Sequence, residues 1–283
     1  MIMSKPPSKP IVSICIPSYE GAEFIGSAIE SVLIQTFNDF ELIIIDDNST
    51  DGTEALVGKY NDPRIRFLRN EHNLGPEGNW NRCLTEACGR YFKLLPQDDL
   101  LEPNCLEQQV AVLEADVEER IALVFCARSI IDSNGRAIMT RNYPQCRGGR
   151  ISSHSAIRTS LRRGTNLIGE PGGVLFRKSL ADDIGGFDAS IGYVTDLDYW
   201  FRLLMRGEAY YLPERLVSFR VSNGSWSVAI GNKQSEDFLR FIAKASAATA
   251  YGTGVATILT GKVMARANNL LRMCVYKFLQ LRR

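Results

Sequence analysis

Residues 11–46 read IVSICIPSYEGAEFIGSAIESVLIQTFNDFELIIID, and this stretch decides the fold. Both of its ends are rich in β-branched residues, which predicts strands over Ile11 to Ile16 and Glu41 to Asp46. Between them, apolar residues recur at helical spacing and predict a helix with one apolar face. These residues are Phe24, Ile25, Ala28, Ile29, Val32 and Leu33. A strand, a helix and a second strand in this order form the unit from which parallel sheets are built.

The alternation of strands and helices continues as far as Phe125. Three further strands are predicted, over Arg64 to Leu68, Tyr91 to Leu95, and Ile121 to Phe125. Helices are predicted to begin near Asp51, which can cap the first turn, and to cover Gly78 to Ala87 and Pro103 to Asp116. The alternation therefore favours an α/β fold with a doubly wound, mostly parallel sheet and flanking helices.

The pattern changes after Ala127, where short strands and Gly-Gly pairs replace the regular alternation. A helix is predicted over Asp196 to Arg206, and two more helical stretches follow Asn232. The chain is thus expected to contain one domain over residues 1–231 and a helical extension over residues 232–283. The domain divides into a half over about 11–126 and a half over about 127–231.

The composition is that of a globular protein. Hydrophobic residues make up 45% of the chain and charged residues 23%, which excludes disordered and fibrous classes. The seven cysteines are scattered without a C-x-x-C pair, so a zinc or redox site is not indicated and a reducing cytosol is favoured. Because we find neither a signal peptide nor an unbroken apolar run of about 18 residues, we expect a cytoplasmic protein without a spanning helix.

The net charge of +1 conceals an uneven distribution. All 32 acidic residues lie at or before Asp237, whereas eight of the 33 basic residues follow it. In the last predicted helix, apolar residues form one stripe and basic residues lie largely off it. This pattern favours peripheral contact of the C-terminal helix with an anionic membrane, at its inner face, over binding to nucleic acid. The alternative is a helix packed on its own domain with its basic side chains in solvent.

Acidic side chains follow two of the predicted strands. Asp46 and Asp47 end the second strand, and Asp98 and Asp99 come shortly after the fourth. In open α/β sheets ligands bind outside the carboxyl ends of the strands, and carboxylates that converge there repel each other unless a cation or donor groups offset the charge. Mn²⁺ and Mg²⁺ prefer oxygen ligands, and the chain has only two histidines. Asp98 and Asp99 are therefore predicted to bind a divalent cation.

Each acidic group also has a purely structural interpretation. Residues Asp46 to Ser49 can form a polar turn that caps the following helix. The pair Asp98–Asp99 can simply lead into a helix. Asp196 and Asp198 can complement the dipole of the helix that begins there, with Thr195 as its cap.

Two phosphate-binding motifs are absent. No G-x-x-x-x-G-K-[ST] sequence occurs, and no G-x-G-x-x-G opens the first helix, which argues against P-loop enzymes and dehydrogenases. A bound diphosphate would then be neutralised by a metal ion and by side chains.

Four segments, in this order, resemble the inverting glycosyltransferases of family 2, whose catalytic domain is called GT-A. They are Ser13 to Tyr19 (SICIPSY), Ile43 to Thr53 (IIIDDNSTDGT), Asn73 to Leu101 (NLGPEGNWNRCLTEACGRYFKLLPQDDLL) and Tyr193 to Leu203 (YVTDLDYWFRL). The resemblance covers roughly residues 11–226. It implies a GT-A fold, with the nucleotide sugar bound by the first half of the domain and the acceptor by the second.

The resemblance also implies roles for individual residues. Pro17, Tyr19 and Asp47 would hold the nucleobase, and Asp98 and Asp99 would bind ribose and metal. The carboxylate of Asp47 can accept a hydrogen bond from the imide N–H of uracil, which adenine lacks.

Asp196 matches the catalytic base of the family, which removes the proton of the acceptor hydroxyl as that oxygen attacks the anomeric carbon. A single displacement inverts the configuration. Arg220 and the stretch from Ser222 to Trp226 resemble a segment that closes near the diphosphate, and Trp226 is a candidate for stacking on a sugar. Trp80 and Trp200 are instead predicted to lie in the core.

The sequence departs from the family pattern at two positions. Pro96 stands where many relatives carry an aspartate, which removes one possible ribose contact. Ser222 stands where many relatives carry a histidine.

The sequence therefore predicts a metal-dependent inverting glycosyltransferase. Its donor would be a nucleotide-diphosphate sugar, with UDP-sugars favoured, and its acceptor a glycan or a lipid-linked sugar of the cell envelope. One alternative is a sugar nucleotidyltransferase, which would carry a glycine-rich loop directly after the first strand. The other is a sugar-nucleotide-binding subunit without turnover.

Overall fold

The computed structural model describes residues 9–144, 146–221, 233–248 and 251–281, and side chains as far as Met273. Ten strands are present in this part of the chain: β1 Val12–Ser18, β2 Phe40–Asp46, β3 Ile65–Arg69, β4 Tyr91–Leu94, β5 Leu100–Leu101, β6 Ile121–Ile131, β7 Ala137–Arg141, β8 Gly149–Ile151, β9 Val174–Arg177 and β10 Glu208–Arg220.

Nine α-helices are present in the same described ranges: α1 Ile25–Leu33, α2 Thr53–Val57, α3 Gly75–Glu86, α4 Cys105–Ala115, α5 Ser153–Arg163, α6 Lys178–Ile184, α7 Thr195–Leu204, α8 Lys233–Ala247 and α9 Val255–Leu281. Two short 3-10 helices, Pro171–Gly173 and Gly192–Val194, precede β9 and α7.

All ten strands belong to one sheet, in the order β3-β2-β1-β4-β9-β6-β10-β5, with β7 beside β6 and β8 beside β10. Strands β3, β2, β1 and β4 are mutually parallel, and so are β6 and β10. Strand β9 joins the two sets and runs antiparallel to both of its neighbours. The predicted α/β class with a mostly parallel, doubly wound sheet is therefore confirmed.

The sheet is buried on both faces because successive residues of its central strands point to opposite sides. In β1, Ile14 and Ile16 belong to one apolar cluster, whereas Cys15 belongs to the other. In β2, Leu42 and Ile44 face the first cluster, and Ile43 and Ile45 face the second. This is the helix-covered arrangement expected of parallel sheets. Trp200, predicted as a core residue, is 1% exposed, and Trp80 is partly buried against Phe187.

The prediction was wrong about where the fifth predicted strand ends. This strand was predicted over Ile121 to Phe125 but continues to Ile131 as β6. Its partner β10 spans 13 residues, whereas only short strands were expected in that half of the chain. The apolar run is interrupted by Arg128, which looks like a strand end in the sequence. In the structure this arginine is 5% exposed and pairs with Glu170.

The two predicted C-terminal helices are present as α8 and α9. Helix α8 packs on α7, where Phe241 contacts Phe201 and Lys244 pairs with Asp198 at 2.8 Å. Helix α9 lies along α5. Within the residues described, no helix is long and apolar enough to cross a membrane.

Candidate functional site

The carboxyl ends of β1, β2 and β4 lie at one edge of the sheet. Ser18 pairs with Asp46 in the register of β1 and β2, and the backbone N–H of Asp47 donates to the Ser18 carbonyl at 2.7 Å. Gln97, in the turn after β4, exchanges two 3.0 Å hydrogen bonds with the backbone of Tyr19. These contacts bring the first three predicted segments together, and Gln97 is a contributor that the sequence reasoning missed.

Tyr19 and Asp47 differ sharply in accessibility. The Tyr19 side chain is 51% exposed at this edge, and Pro17 is partly buried. Asp47 is only 2% exposed, and its carboxylate accepts hydrogen bonds from the N–H groups of Leu74 and Gly75 at 2.8 and 2.9 Å. It therefore caps α3, and not the helix that directly follows it in the chain. A nucleobase contact by Asp47, Tyr19 or Pro17 stays a prediction.

Asp99 is fully buried, with an exposed fraction of 0%. Its Oδ1 accepts a hydrogen bond from the backbone N–H of Arg220 at 3.0 Å, whereas its Oδ2 has no hydrogen-bond partner among the described residues. Burial, and then the charge of neighbouring Asp98, raise the pKa of Asp99 well above its usual range. Burial also raises the pKa of Asp98.

The negative charges of Asp98 and Asp99 repel each other, and a bound cation would offset this repulsion. An orphaned buried oxygen has lost its water without gaining a donor, which destabilises its charged form. Within the described residues, no group of three or more His, Cys, Asp and Glu side chains is arranged as a metal site. One or two carboxylates that share an ion with substrate phosphates is the usual arrangement for Mg²⁺, and it needs no such group.

Arg220, at the end of β10, is 5% exposed and donates to backbone carbonyls. Its Nε bonds the Asp98 carbonyl at 2.9 Å, and one terminal nitrogen bonds the carbonyls of Asp132 and Ser133 at 3.2 and 3.1 Å. The arginine thus ties the Asp98 turn to the β6–β7 turn. Its predicted contact with a diphosphate stays a prediction, and the predicted Ser222 and Trp226 lie outside the described residues.

Asp196 stands in the first turn of α7 and forms no ion pair within the described part of the chain. Its Oδ2 accepts from the Asn166 amide at 2.8 Å, and its Oδ1 accepts from the Leu197 N–H at 2.7 Å. Burial raises its pKa to about 7, and the charge of Glu170 acts in the same direction. Asp198 is different, because it pairs with Arg202 and Lys244 at 2.9 and 2.8 Å.

The loop before the Pro171–Gly173 helix contacts Asp196 through Asn166 and was missed by the sequence reasoning. Asn166 holds Gly169 through two hydrogen bonds of 2.9 and 3.0 Å, and the Trp200 indole donates to the Gly169 carbonyl at 3.0 Å. Glu170 pairs with Arg128. At Gly169, φ is +112° and a Cβ would lie 2.9 Å from the Arg128 guanidinium, so only glycine fits there.

Glu170 acts on both the predicted metal site and the predicted base, because its charge raises the pKa of Asp99 and of Asp196. The buried Lys93 holds the Pro171–Gly173 helix that follows Glu170 by donating to the Gly172 carbonyl at 2.7 Å. A Cβ at Gly172 would lie 3.6 Å from the free Oδ2 of Asp99. The only signal for this region in the sequence is the Gly-rich stretch 169–173, which is too common a pattern to identify a site.

The model of glycosyl transferase family 2 matches residues 13–185. An Escherichia coli relative, named as a UDP-Glc:alpha-D-GlcNAc-diphosphoundecaprenol beta-1,3-glucosyltransferase, is 36% identical over 124 residues. That match covers 44% of this chain and 48% of the relative, so the chain aligns with about half of that protein.

Two solved structures share the fold. S. aureus TarS in complex with UDP-GlcNAc has a TM-score of 0.64 at 20% identity, and the match covers 90% of this chain and 70% of that chain. A mannosyltransferase of Pyrobaculum calidifontis in complex with GDP-Man and Mn²⁺ has a TM-score of 0.61 at 17% identity, with 98% and 82% covered. These likenesses confirm the predicted GT-A fold.

Proposed function

Because this chain belongs to glycosyl transferase family 2, we propose that it is a metal-dependent inverting glycosyltransferase that uses a UDP-sugar. The sugar would pass to a hydroxyl of a glycan or lipid-linked acceptor in cell-envelope polysaccharide synthesis. The observation that carries the proposal is Asp196, a carboxylate held by two hydrogen bonds, without a cation partner in the described residues, and with its pKa raised to about 7.

Such a carboxylate suits general-base catalysis. A base works best when its pKa lies near the operating pH, since it is then both unprotonated and able to take a proton. Asp196 would accept the proton of the acceptor hydroxyl as that oxygen bonds to the anomeric carbon. The bond from this carbon to the diphosphate breaks, and the nucleoside diphosphate leaves with the electron pair. Asn166 would act as a positioning residue, because its amide fixes one oxygen of the base.

The metal would be held by the free Oδ2 of Asp99 and by Asp98. A divalent cation there would stabilise the negative charge that develops on the departing diphosphate. The Mn²⁺ in the Pyrobaculum calidifontis structure supports a cation in this fold. The buried, unsatisfied Oδ2 supports the same role in this chain. Arg220 would contribute by holding the Asp98 turn, through the bond to its carbonyl.

The donor is proposed to bind at the β1 and β2 ends. The exposed ring of Tyr19, with Pro17, would contact the base, and Asp47 would recognise the imide edge once its contacts with α3 are exchanged. The names of the Escherichia coli relative and of the TarS complex include UDP-Glc and UDP-GlcNAc, which supports a UDP-sugar. Because the Pyrobaculum calidifontis structure contains GDP-Man, a guanosine diphospho-sugar is the alternative donor to test.

The acceptor proposal rests on the Escherichia coli relative, whose name specifies a diphosphoundecaprenol-linked sugar. A lipid-linked acceptor would be met at a membrane surface. The basic C-terminal helix is proposed to make peripheral contact with the inner face of that membrane.

The test is nucleotide release from UDP-Glc, UDP-GlcNAc and GDP-Man, with and without Mn²⁺, in the presence of a GlcNAc-diphospholipid acceptor. We expect turnover with a UDP-sugar that depends on Mn²⁺. Asp196→Asn should lower kcat by at least about 100-fold. Asp99→Asn should lose the turnover that Mn²⁺ supports in the wild type. Asp183→Asn, on the exposed side of α6, is the matched control. Full activity of Asp196→Asn would refute the base assignment, and activity indifferent to Mn²⁺ would refute the metal.

A further inference from the structure

Outside the carboxylate site, α5 carries a row of cations on its solvent-exposed side. Arg158, Arg162 and Arg163 line an open cavity of about 260 Å³, together with His154, Ser155 and Thr159. The helix sequence, SHSAIRTSLRR, contains no acidic residue. Within the described residues, none of these three arginines forms an ion pair, and the ion pairs involve other arginines and lysines. These three guanidinium groups are therefore available to an anion from outside.

The chemistry of the row fits a phosphate group. Guanidinium groups bind phosphate oxygens with two parallel hydrogen bonds, and neighbouring hydroxyls can add donors. Arg162 and Arg163 also complement the dipole at the C-terminus of α5. That explanation does not apply to Arg158 or His154, which lie in the earlier turns of the helix. The row as a whole therefore needs a second explanation.

Helix α9 runs directly beside this row and in the same direction. Its Gly261 meets the Leu161 carbonyl so closely that an added Cβ would lie 2.3 Å away, and a Cβ on Gly164 would lie 2.3 Å from the Ala265 nitrogen. The Asn268 amide donates to the Arg163 carbonyl at 2.7 Å. The backbones of the two helices are therefore in contact at the C-terminal turn of α5, which also carries Arg162 and Arg163.

Outside these contacts, α9 carries apolar side chains that are exposed. The exposed fractions are 73% for Val255, 59% for Leu259, 64% for Val263, 69% for Leu270 and 63% for Leu271. Lys262 and Arg266 lie on the same helix and are exposed. A helix with an exposed apolar stripe and adjacent cations is the usual form of a segment that lies in a membrane interface.

We propose that α5 and α9 form one membrane-docking face, in which the three arginines of α5 bind the phosphates of anionic lipids and the apolar stripe of α9 enters the headgroup region. The ligand chemistry is a phosphate oxyanion, and its source is the lipid headgroup. Charge complementarity favours anionic lipid headgroups, because α5 contributes three arginines and no acidic side chain to this face. The proposal adds a second helix to the C-terminal contact and does not depend on the transfer reaction.

Flotation of the full chain with vesicles, without donor or acceptor, tests the proposal. We expect binding to phosphatidylglycerol–phosphatidylcholine vesicles at low salt and much weaker binding to phosphatidylcholine alone. The triple variant Arg158→Gln, Arg162→Gln, Arg163→Gln should bind on the order of 100-fold more weakly, since each cation near an anionic surface contributes about fivefold. Replacing Leu259 and Val263 by serine should weaken binding at least about tenfold.

A matched control removes three exposed cations elsewhere: Lys59→Gln, Arg136→Gln and Arg206→Gln. It has the same net charge as the arginine variant and should keep binding within about fivefold of the wild type. The arginines are exposed, so the melting temperature of the α5 variant should fall only slightly, by the helix-dipole contribution of Arg162 and Arg163. Equal binding by the α5 variant and the wild type would overturn the proposal, and so would equal losses in the α5 variant and the control.

A second measurement separates the lipid from a soluble phosphate. Inorganic pyrophosphate is added to the wild type and to the α5 variant, and thermal melting is followed. If pyrophosphate stabilises only the wild type while both proteins float equally well, the cavity binds a soluble anion and the membrane proposal is wrong. If flotation depends on the arginines, the lipid is the ligand whatever pyrophosphate does.

Discussion

The replacement of Asp196 by asparagine gives the sharpest test of the site, because it removes a charge and leaves the shape almost unchanged. The carboxyl accepts from Asn166 and Leu197, and the new amide can keep only one of these acceptor roles. Losing one hydrogen bond lowers stability by about 1 kcal/mol at every pH. The charge contributes a separate effect that depends on pH.

The size of this second effect follows from the pKa. Burial and Glu170 raise the pKa of Asp196 from 3.8 to about 7 in the folded protein. Each pKa unit corresponds to 1.36 kcal/mol, so ionising Asp196 lowers the free energy of unfolding by up to about 4 kcal/mol. Because the folded pKa is the raised one, the wild type is stabilised at low pH and loses that stability as the pH rises towards about 7.

The asparagine variant cannot ionise and should not show this loss. Urea unfolding of both proteins at about pH 5 and about pH 8 measures the difference in the free energy of unfolding. Most of the titration lies in this window, so the variant should gain roughly 2 to 3 kcal/mol relative to the wild type. Asp98 and Asp99 also titrate, but they are present in both proteins and largely cancel in the difference.

Asp183→Asn is the control, since it removes one carboxylate from the exposed side of α6. A difference between Asp196→Asn and the wild type that stays constant with pH would refute the reasoning, because the carboxyl would then be ordinary in the folded state. The same raised pKa predicts that wild-type kcat/KM rises with pH and half-saturates near pH 7. An acid limb far below that value would contradict the assignment of Asp196 as the base.

Two further predictions concern neighbouring positions. Asn166→Ala removes a hydrogen bond that lowers the pKa of Asp196. The acid limb of the pH profile of kcat/KM should therefore move upward by about half a unit to one unit. If the acid limb does not move, the Asn166 amide does not bond the base. Gly164→Ala places a Cβ 2.3 Å from the Ala265 nitrogen at a φ of +62°, so urea unfolding should show a loss of at least about 2 kcal/mol. The control is Gly52→Ala, where φ is +91° and no heavy atom lies within 4 Å of the new Cβ. Its free energy of unfolding should fall by only about 1 kcal/mol. Equal losses in the two variants would show that α9 does not contact α5 closely at Gly164.

The regular part of the fold was predictable because its signals are local. Strands β1 to β4 are short runs rich in aliphatic and aromatic residues, and each run can be read from the sequence alone. The helix expected near Asp51 begins at Thr53, where Asp51 accepts from the Thr53 N–H at 3.1 Å. The carboxylates at the strand ends were predictable for the same reason, since topology alone decides which turns share an edge.

The surroundings of the predicted base were not predictable, because they are made by residues far apart in the chain. Asn166 bonds Asp196 across 30 positions, and Arg128 donates to the Asn166 carbonyl across 38. A buried arginine inside a strand resembles a strand end until its partner is known. The structural alternative for Asp46 to Ser49, a turn that caps the following helix, does not describe Asp47, because Asp47 caps α3 across 27 and 28 positions.

The charges at this edge of the sheet couple the proposed cation site at Asp99 to the proposed base Asp196. Arg128, whose charge lowers the pKa of Asp196, forms an ion pair with Glu170. Asp196 and Asp99 are both left with raised pKa values, and Glu170 contributes to each. A cation bound at Asp99 would relieve the second carboxylate directly and would lower the pKa of Asp196 through space. We therefore expect the acid limb of the pH profile to lie lower at saturating Mn²⁺ than at limiting Mn²⁺ in the wild type, and the residual activity of Asp99→Asn to show no such difference. A limb that ignores Mn²⁺ in both proteins would show that the two carboxylates act independently.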